Sequence, residues 1–218
     1  MRQRAAVLIS GRGSNMAALV AASRDPAYPV EFVLVLSNRG QAPGIALAAS
    51  LGVPSAVVSQ RLFGNDRAAH EAAIDAALVA ADVEIVCLAG YMRLLTPFLV
   101  ERWAGRMLNI HPSLLPAFPG LETHARALAA GVRLHGCTVH LVTQAMDEGP
   151  ILAQAAVPVL PGDTEDTLAA RVLVQEHLLY PLALRLFALG QPGDAAPAEA
   201  ALCNPLLGAV WRDAYSER

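Results

Sequence analysis

The run Asn109-Ile110-His111-Pro112-Ser113-Leu114-Leu115-Pro116, followed much later by Asp147, holds the side chains best suited to chemistry in this chain. Apolar residues precede Asn109 and two prolines follow His111, so the pair reads as the end of a strand with a stiff exit. Side chains two apart on a strand share a face. Asn109 supplies an amide donor, and His111 carries the one ring that titrates near neutrality. A donor for a developing oxyanion beside a proton carrier is what transfer of an acyl-type carbon requires. Asp147, in the loop Gln144-Ala145-Met146-Asp147-Glu148-Gly149-Pro150, would orient the imidazole and favour its protonated form. Each residue also has an ordinary structural reading, as a histidine at a sheet edge or an aspartate in a turn near glycine.

Two further segments have chemical character. Gly11-Arg12-Gly13-Ser14-Asn15 follows an apolar run and opens a helix. Its glycines would let backbone approach an anion, and a helix start offers unpaired N–H groups. Ser14 and Asn15 add side-chain donors, with one of them near the helix cap. Met16 stands where a dinucleotide fingerprint has its third glycine, and no Gly-Lys-Ser/Thr follows, so the loop suits a small phosphate. The other segment is Leu88-Ala89-Gly90-Tyr91-Met92-Arg93-Leu94-Leu95, where apolar residues beyond a bend could line a slot for a flat heteroaromatic ring. The remaining histidines read as bystanders. His135 and His140, five apart on one strand, point to opposite faces, so at most one faces the site. His124 reads as a cap neighbour, and His70 and His177 as helix packing or surface residues. No pair has metal-ligand spacing, so a metal-free site is expected.

These residues need elements to hold them. Strands are expected over 5–10, 30–37, 56–58, 85–89, 106–110, 135–143 and 151–159, and helices over 15–22, 43–51, 66–81, 97–103, 123–130 and 164–189. A kink is expected at Pro181 of the last helix. The alternation implies an α/β fold whose central sheet is mostly parallel with helices on both faces. The short link between the last two strands implies an antiparallel pair at its C-terminal side.

The 218 residues suffice for one domain with a full core, and 55% apolar with only 16% charged residues argues against disorder. The residues after 189 read as a loose Ala/Pro/Gly-rich tail without chemistry. A net charge of −3 argues against nucleic-acid binding, and no apolar run is long enough to span a membrane. The first apolar run is too short for a signal peptide, and Cys87, Cys137 and Cys203 are scattered, which together suggest a cytoplasmic protein with free thiols.

Taken together, VLISGRGSN, LAGYMRLL, LNIHPSLLPAFPG, HGCTVH, DEGPILAQ and QEHLLYP resemble, in the same order over about residues 5–189, the phosphoribosylglycinamide formyltransferases, folate-dependent enzymes of purine synthesis. The resemblance implies a Rossmann-like formyltransferase fold over 1–189, with a phosphate-binding half (about 1–105), a folate and catalytic half (about 106–189) and a tail over 190–218. It implies 10-formyltetrahydrofolate as co-substrate and glycinamide ribonucleotide as acceptor, in a monomer or homodimer. Asn109, His111 and Asp147 match its catalytic trio. Gly13, Ser14 and Asn15 match its phosphate loop, and Pro112, Gly120 and Glu176 match positions near the ribonucleotide. Arg67, Met92, Arg93, Leu94, Leu95 and Asn109 match its folate contacts. Ala117 departs from the lysine common in relatives. Formyltetrahydrofolate deformylases share the trio but carry an N-terminal regulatory domain.

Overall fold

The computed structural model describes residues 1–190 and the backbone of 201–203. Five strands run in parallel: β1 (Gln3–Ile9), β2 (Val30–Ser37), β3 (Ser55–Val57), β4 (Ile85–Leu88) and β5 (Met107–His111). Helices α1 (Ser14–Ala22), α2 (Pro43–Ser50), α3 (Arg67–Ala80) and α4 (Pro97–Arg102) connect them. After α5 (Thr123–Ala129), β6 (Leu134–Leu141) and β7 (Ile151–Pro158) add antiparallel to β5 and to each other, and α6 (Glu165–Ala188) returns across the sheet. A three-residue strand β8 (Ala201–Cys203) pairs parallel with β7, giving the order β3-β2-β1-β4-β5-β6-β7-β8. This is the α/β arrangement expected from the sequence, with element ends shifted by one or two residues. The antiparallel part is larger than the expected pair, because β5–β6 is antiparallel too. The expected tail otherwise lies outside the described residues.

Both sheet faces are covered. Val7, Ile9, Leu108, Ile110 and Val139 pack beneath α1 and α6 with Met16, Leu19, Leu168 and Leu179. Ala6, Leu8, Val86 and Met107 pack on the other face with Ile74 and Leu78 of α3, Leu99 of α4 and Trp103 just after it. Strands buried on two faces read as unbroken apolar runs, which is why β1, β2 and β4 were visible in the sequence. Helix α6 is set by a reciprocal cap: the Thr167 N–H donates to Thr164 Oγ1, and the Thr164 N–H donates to Thr167 Oγ1 at 2.9 Å. It runs as one helix through Pro181, whose carbonyl accepts from Tyr28 Oη at 2.7 Å.

Three features of this topology create the site. The order reverses between β1 and β4, and the crevice beyond their carboxyl ends is where open α/β sheets take ligands. Strand β4 stops at Leu88, whose register partner on β5 is Asn109. Asn109 and His111 therefore stand at and past the end of β4, on the face Met107 shares. Finally, the β6–β7 loop packs tightly against β6. A Cβ on Gly149 would lie 1.8 Å from the Leu141 carbonyl oxygen, so only glycine fits. Gly149→Ala is expected to destabilise the fold by about 2 to 3 kcal/mol through this overlap. A urea titration checks it, and an unchanged midpoint would show that the loop is free to move.

Candidate active site

Register places the chemistry. In the β5–β6 pairing Asn109 lies opposite His140 and His111 opposite Thr138, so all four side chains share one face. His111 is buried. Its Nδ1 lies 3.5 Å from Asp147 Oδ2, and its Nε2 lies 3.0 Å from the Phe118 carbonyl oxygen. A carbonyl only accepts, so Nε2 carries a proton. The Asp147 side chain is 10% exposed and is met from three sides: Gly120 N–H donates to Oδ2 at 2.8 Å, His111 faces the same oxygen, and His140 Nε2 stands 3.7 Å from Oδ1. The trio thus converges, with Asn109 joined to it through His140 (Nδ2 to Nε2, 3.2 Å).

Backbone conformation around the trio is unusual. Phe118 (φ 54°), Glu122 (φ 56°) and Asp147 (φ 58°) are left-handed without being glycine, and Gly120 (φ 79°) sits among them. Such residues are costly and collect at functional sites. The loop is held in several ways. Arg126 donates to the carbonyls of Pro119 and Leu121, and its guanidinium lies 5.7 Å from the centre of the Phe118 ring. Below it, buried Thr138 donates to the Ser113 carbonyl at 2.7 Å and accepts from Leu115 N–H at 3.0 Å. Gln154 donates to both the Leu115 carbonyl and Thr138 Oγ1. The exit from β5 is therefore held by hydrogen bonds with Thr138 and Gln154, beyond what its prolines alone would fix.

The glycine loop follows β1. Helix α1 is capped by left-handed Gly13 (φ 77°) with no side-chain hydrogen bond, so the expected cap at Ser14 or Asn15 is corrected: the glycine conformation leaves the helix N–H groups bare of a side chain. Asn15 is likewise not a free donor. Its Nδ2 donates at 2.6 Å to Glu176 Oε2 on α6, while its Oδ1 is buried without a partner among the described residues. Burial holds the Glu176 carboxyl above its usual range, partly offset by that bond. The fold thus brings Asn15 and Glu176, far apart in sequence, to one wall beside Gly13 and Ser14. Pro112 and Gly120 border His111 and Asp147.

The 90–95 segment bends at Gly90 (φ 68°) and is tied back to β1, with Met92 N–H donating to Ser10 Oγ at 2.8 Å. Met92 and Leu94 are exposed. Arg67 donates to the Leu94 carbonyl at 2.7 Å, and Arg93 donates to Gln60 Oε1 at 3.1 Å, while Leu95 is partly buried against the core. Two residues were not assigned from the sequence: Thr138, and His140, whose orientation only the β5–β6 register reveals. His135 points away from the trio and pairs with His124 (Nδ1 to Nε2, 3.2 Å). His70 is buried against the Val58 carbonyl. Among the described residues no group of His, Cys, Asp and Glu is arranged to hold a metal.

Residues 3–184 match the family model described as formyl transferase. The chain belongs to the formyl transferase family. It is 43% identical over 185 residues to the phosphoribosylglycinamide formyltransferase of Escherichia coli (strain K12), covering 85% of this chain and 87% of that one. It is 48% identical over 189 residues to the trifunctional purine biosynthetic protein adenosine-3 of Bos taurus, covering 87% of this chain but only 19% of that protein. The crystal structure of the Brucella melitensis phosphoribosylglycinamide formyltransferase superposes with a TM-score of 0.83 at 57% identity, covering 86% of this chain and 96% of that one. A formyltetrahydrofolate deformylase from Burkholderia mallei is more distant, at 29% identity with a TM-score of 0.78 over 87% of this chain and 66% of that one.

Two outcomes follow for this member of the family. Thr138→Val keeps the shape but leaves the buried Leu115 N–H without its acceptor and the Ser113 carbonyl without its donor. It should cost about 2 kcal/mol, seen as a lower Tm, and an unchanged Tm would mean the loop is held otherwise. The second concerns acid. Burial, then the neighbouring His124, pushes His135 down to about 4 from its ordinary value of 6.5. The unfolded chain therefore binds this proton first, so the stability is complete above about pH 6.5 and falls as pH drops toward about 4. His135→Gln should lose less stability than wild type between pH 7 and 4.5 in urea titrations, and equal losses would contradict the assignment.

Proposed function

We propose that this formyltransferase moves the formyl group of 10-formyltetrahydrofolate to the primary amine of glycinamide ribonucleotide, in the cytoplasm. The observation that carries the reading is the convergence of Asn109 and buried His111, from the end of β5, with Asp147 of the β6–β7 loop, next to a phosphate-type loop that ends at a capping glycine. In this reading Gly13, Ser14 and the backbone N–H of Asn15 receive the ribonucleotide phosphate in the 1–105 half, with Glu176, Pro112 and Gly120 beside the rest of that substrate. Arg67, Met92, Arg93, Leu94 and Leu95 receive the folate, alongside the 106–189 half that holds the trio. The bare N–H groups after Gly13 suit an anion, and the buried Glu176 carboxylate suits sugar hydroxyls.

The amine attacks the formyl carbon, a carbon–nitrogen bond forms, and the carbonyl oxygen gains charge. Asn109 Nδ2 donates to that oxygen. The His111 Nε2 proton, held by the Phe118 carbonyl in the resting site, turns to the same oxygen, and hydrogen bonds of this kind commonly tighten only with substrate present. Asp147, 3.5 Å from Nδ1, holds the ring in register. The bond from carbon to folate N10 then breaks, and the proton lost by the amine passes to N10. The amine is a competent nucleophile, so no covalent enzyme intermediate is required.

Tetrahydrofolate release should occur only when glycinamide ribonucleotide is present, with a formylated product by mass. Release without it would make the chain a hydrolase, and no release with either ligand would remove the reading. Asn109→Ala should lower kcat by about 10² to 10³ with little change in KM, and near-normal turnover would show that Asn109 is not the oxyanion donor.

A further inference from the structure

The proposed chemistry leaves one buried titratable side chain of the catalytic face without a task. His140 lies opposite Asn109, on the same face, with 3% of its surface exposed. A bulge between Val139 and His140 in the pairing with β7 falls at this residue, a device that re-aims a side chain. The ring's Nδ1 lies 2.9 Å from the Leu141 carbonyl oxygen, which can only accept, so Nδ1 carries a proton. In the neutral ring Nε2 is then a lone pair, and it meets Asn109 Nδ2 at 3.2 Å. An acceptor placed there takes one of the two amide protons of Asn109 and dictates which end of the amide faces it.

We propose that His140 is a positioning residue, a neutral Nδ1–H imidazole whose Nε2 orients the Asn109 amide so that its second N–H stays free for the formyl oxygen. The proposal rests on the reading of Asn109 as the oxyanion donor. The competing arrangement is specific. A proton on Nε2 would turn His140 toward Asp147 Oδ1, 3.7 Å away, and Asn109 would then present its oxygen to the ring and withdraw its N–H from the reaction. The groups facing His140 are Asp147 on the β6–β7 loop, Asn109 on β5 and, by charge, His111 on β5. Burial outweighs the attraction of Asp147 and holds the ring's proton affinity below that of an ordinary histidine. The neutral ring also leaves the Asp147 charge to His111, the nearer of the two imidazoles.

The test uses the full chain with both substrates. His140→Leu, which removes both nitrogens, should lower kcat by about 10- to 100-fold, at most the loss from removing the donor itself, with KM for each substrate within about twofold. His140→Gln, which can offer an acceptor oxygen, should recover most of that loss. Because His140 acts only through Asn109, adding His140→Leu to Asn109→Ala should cost less than about twofold more. A side chain that merely fills space would give multiplicative losses and no rescue by glutamine, and either result overturns the proposal. Nitrogen-15 spectra of the histidine rings in the wild-type chain at pH 7.5 give a readout independent of turnover. Protonated Nδ1 with bare Nε2 at His140 supports the proposal, and a protonated Nε2 overturns it. If instead Asn109→Ala alone retains full turnover, the reading of the site fails while the ring spectrum still reports the tautomer.

Discussion

A carboxylate taken out of water must be surrounded by donors, and much of the local architecture around Asp147 follows from that requirement. The groups that meet it come from three separate places: the Gly120 N–H in the loop after β5 donates to it, His111 at the end of β5 faces the same oxygen, and the His140 ring near the end of β6 closes the third side. Bringing them together demands left-handed backbone at Phe118, Gly120 and Asp147, and a glycine at 149 so that the loop can lie against the Leu141 carbonyl. The strain is spread over two loops and held by Arg126, Thr138 and Gln154. The site is thus assembled by packing of its loops as much as by its strands.

The sheet supplies the rest. Parallel strands β1, β4 and β5 deliver the glycine loop, the 90–95 segment and the Asn109–His111 pair to one edge at the reversal of strand order. The switch to antiparallel pairing at β6 lets a strand run back past β5, so that Thr138 can buttress the loop after His111 and His140 can meet Asn109. Helix α6 crosses the opposite face and places Glu176 against Asn15, linking the last described helix to the first.

Elements were legible where a single physical cause dominates. Buried parallel strands appear as apolar runs, Pro97 opens α4, and Asp66 caps α3 through the Ala69 N–H. The Asn109–His111 pair was legible because its alternation and prolines are local, whereas Asp147, far downstream, was joined to it only through the family resemblance. What failed was non-local. Ser14 and Asn15 are good caps by type, but Gly13 adopts the left-handed conformation and Asn15 is drawn to a carboxylate 161 residues away. Of His135 and His140, five apart with opposite faces, the one in the site could be chosen only once the register with β5 was known. The convergence of Gly120 on Asp147, and the bonds from Thr138, likewise depend on tertiary contacts that no spacing encodes.

The central claim is that Asp147 acts through its charge on His111 and not merely as a ligand for the loop. Asp147→Asn separates the two, since an amide oxygen can still accept from Gly120 N–H while the charge is gone. Single-turnover formyl transfer should fall by at least about 10²-fold, with hydrogen exchange at the Gly120 amide as slow as in wild type. Transfer at the wild-type rate with that amide still protected would contradict the account.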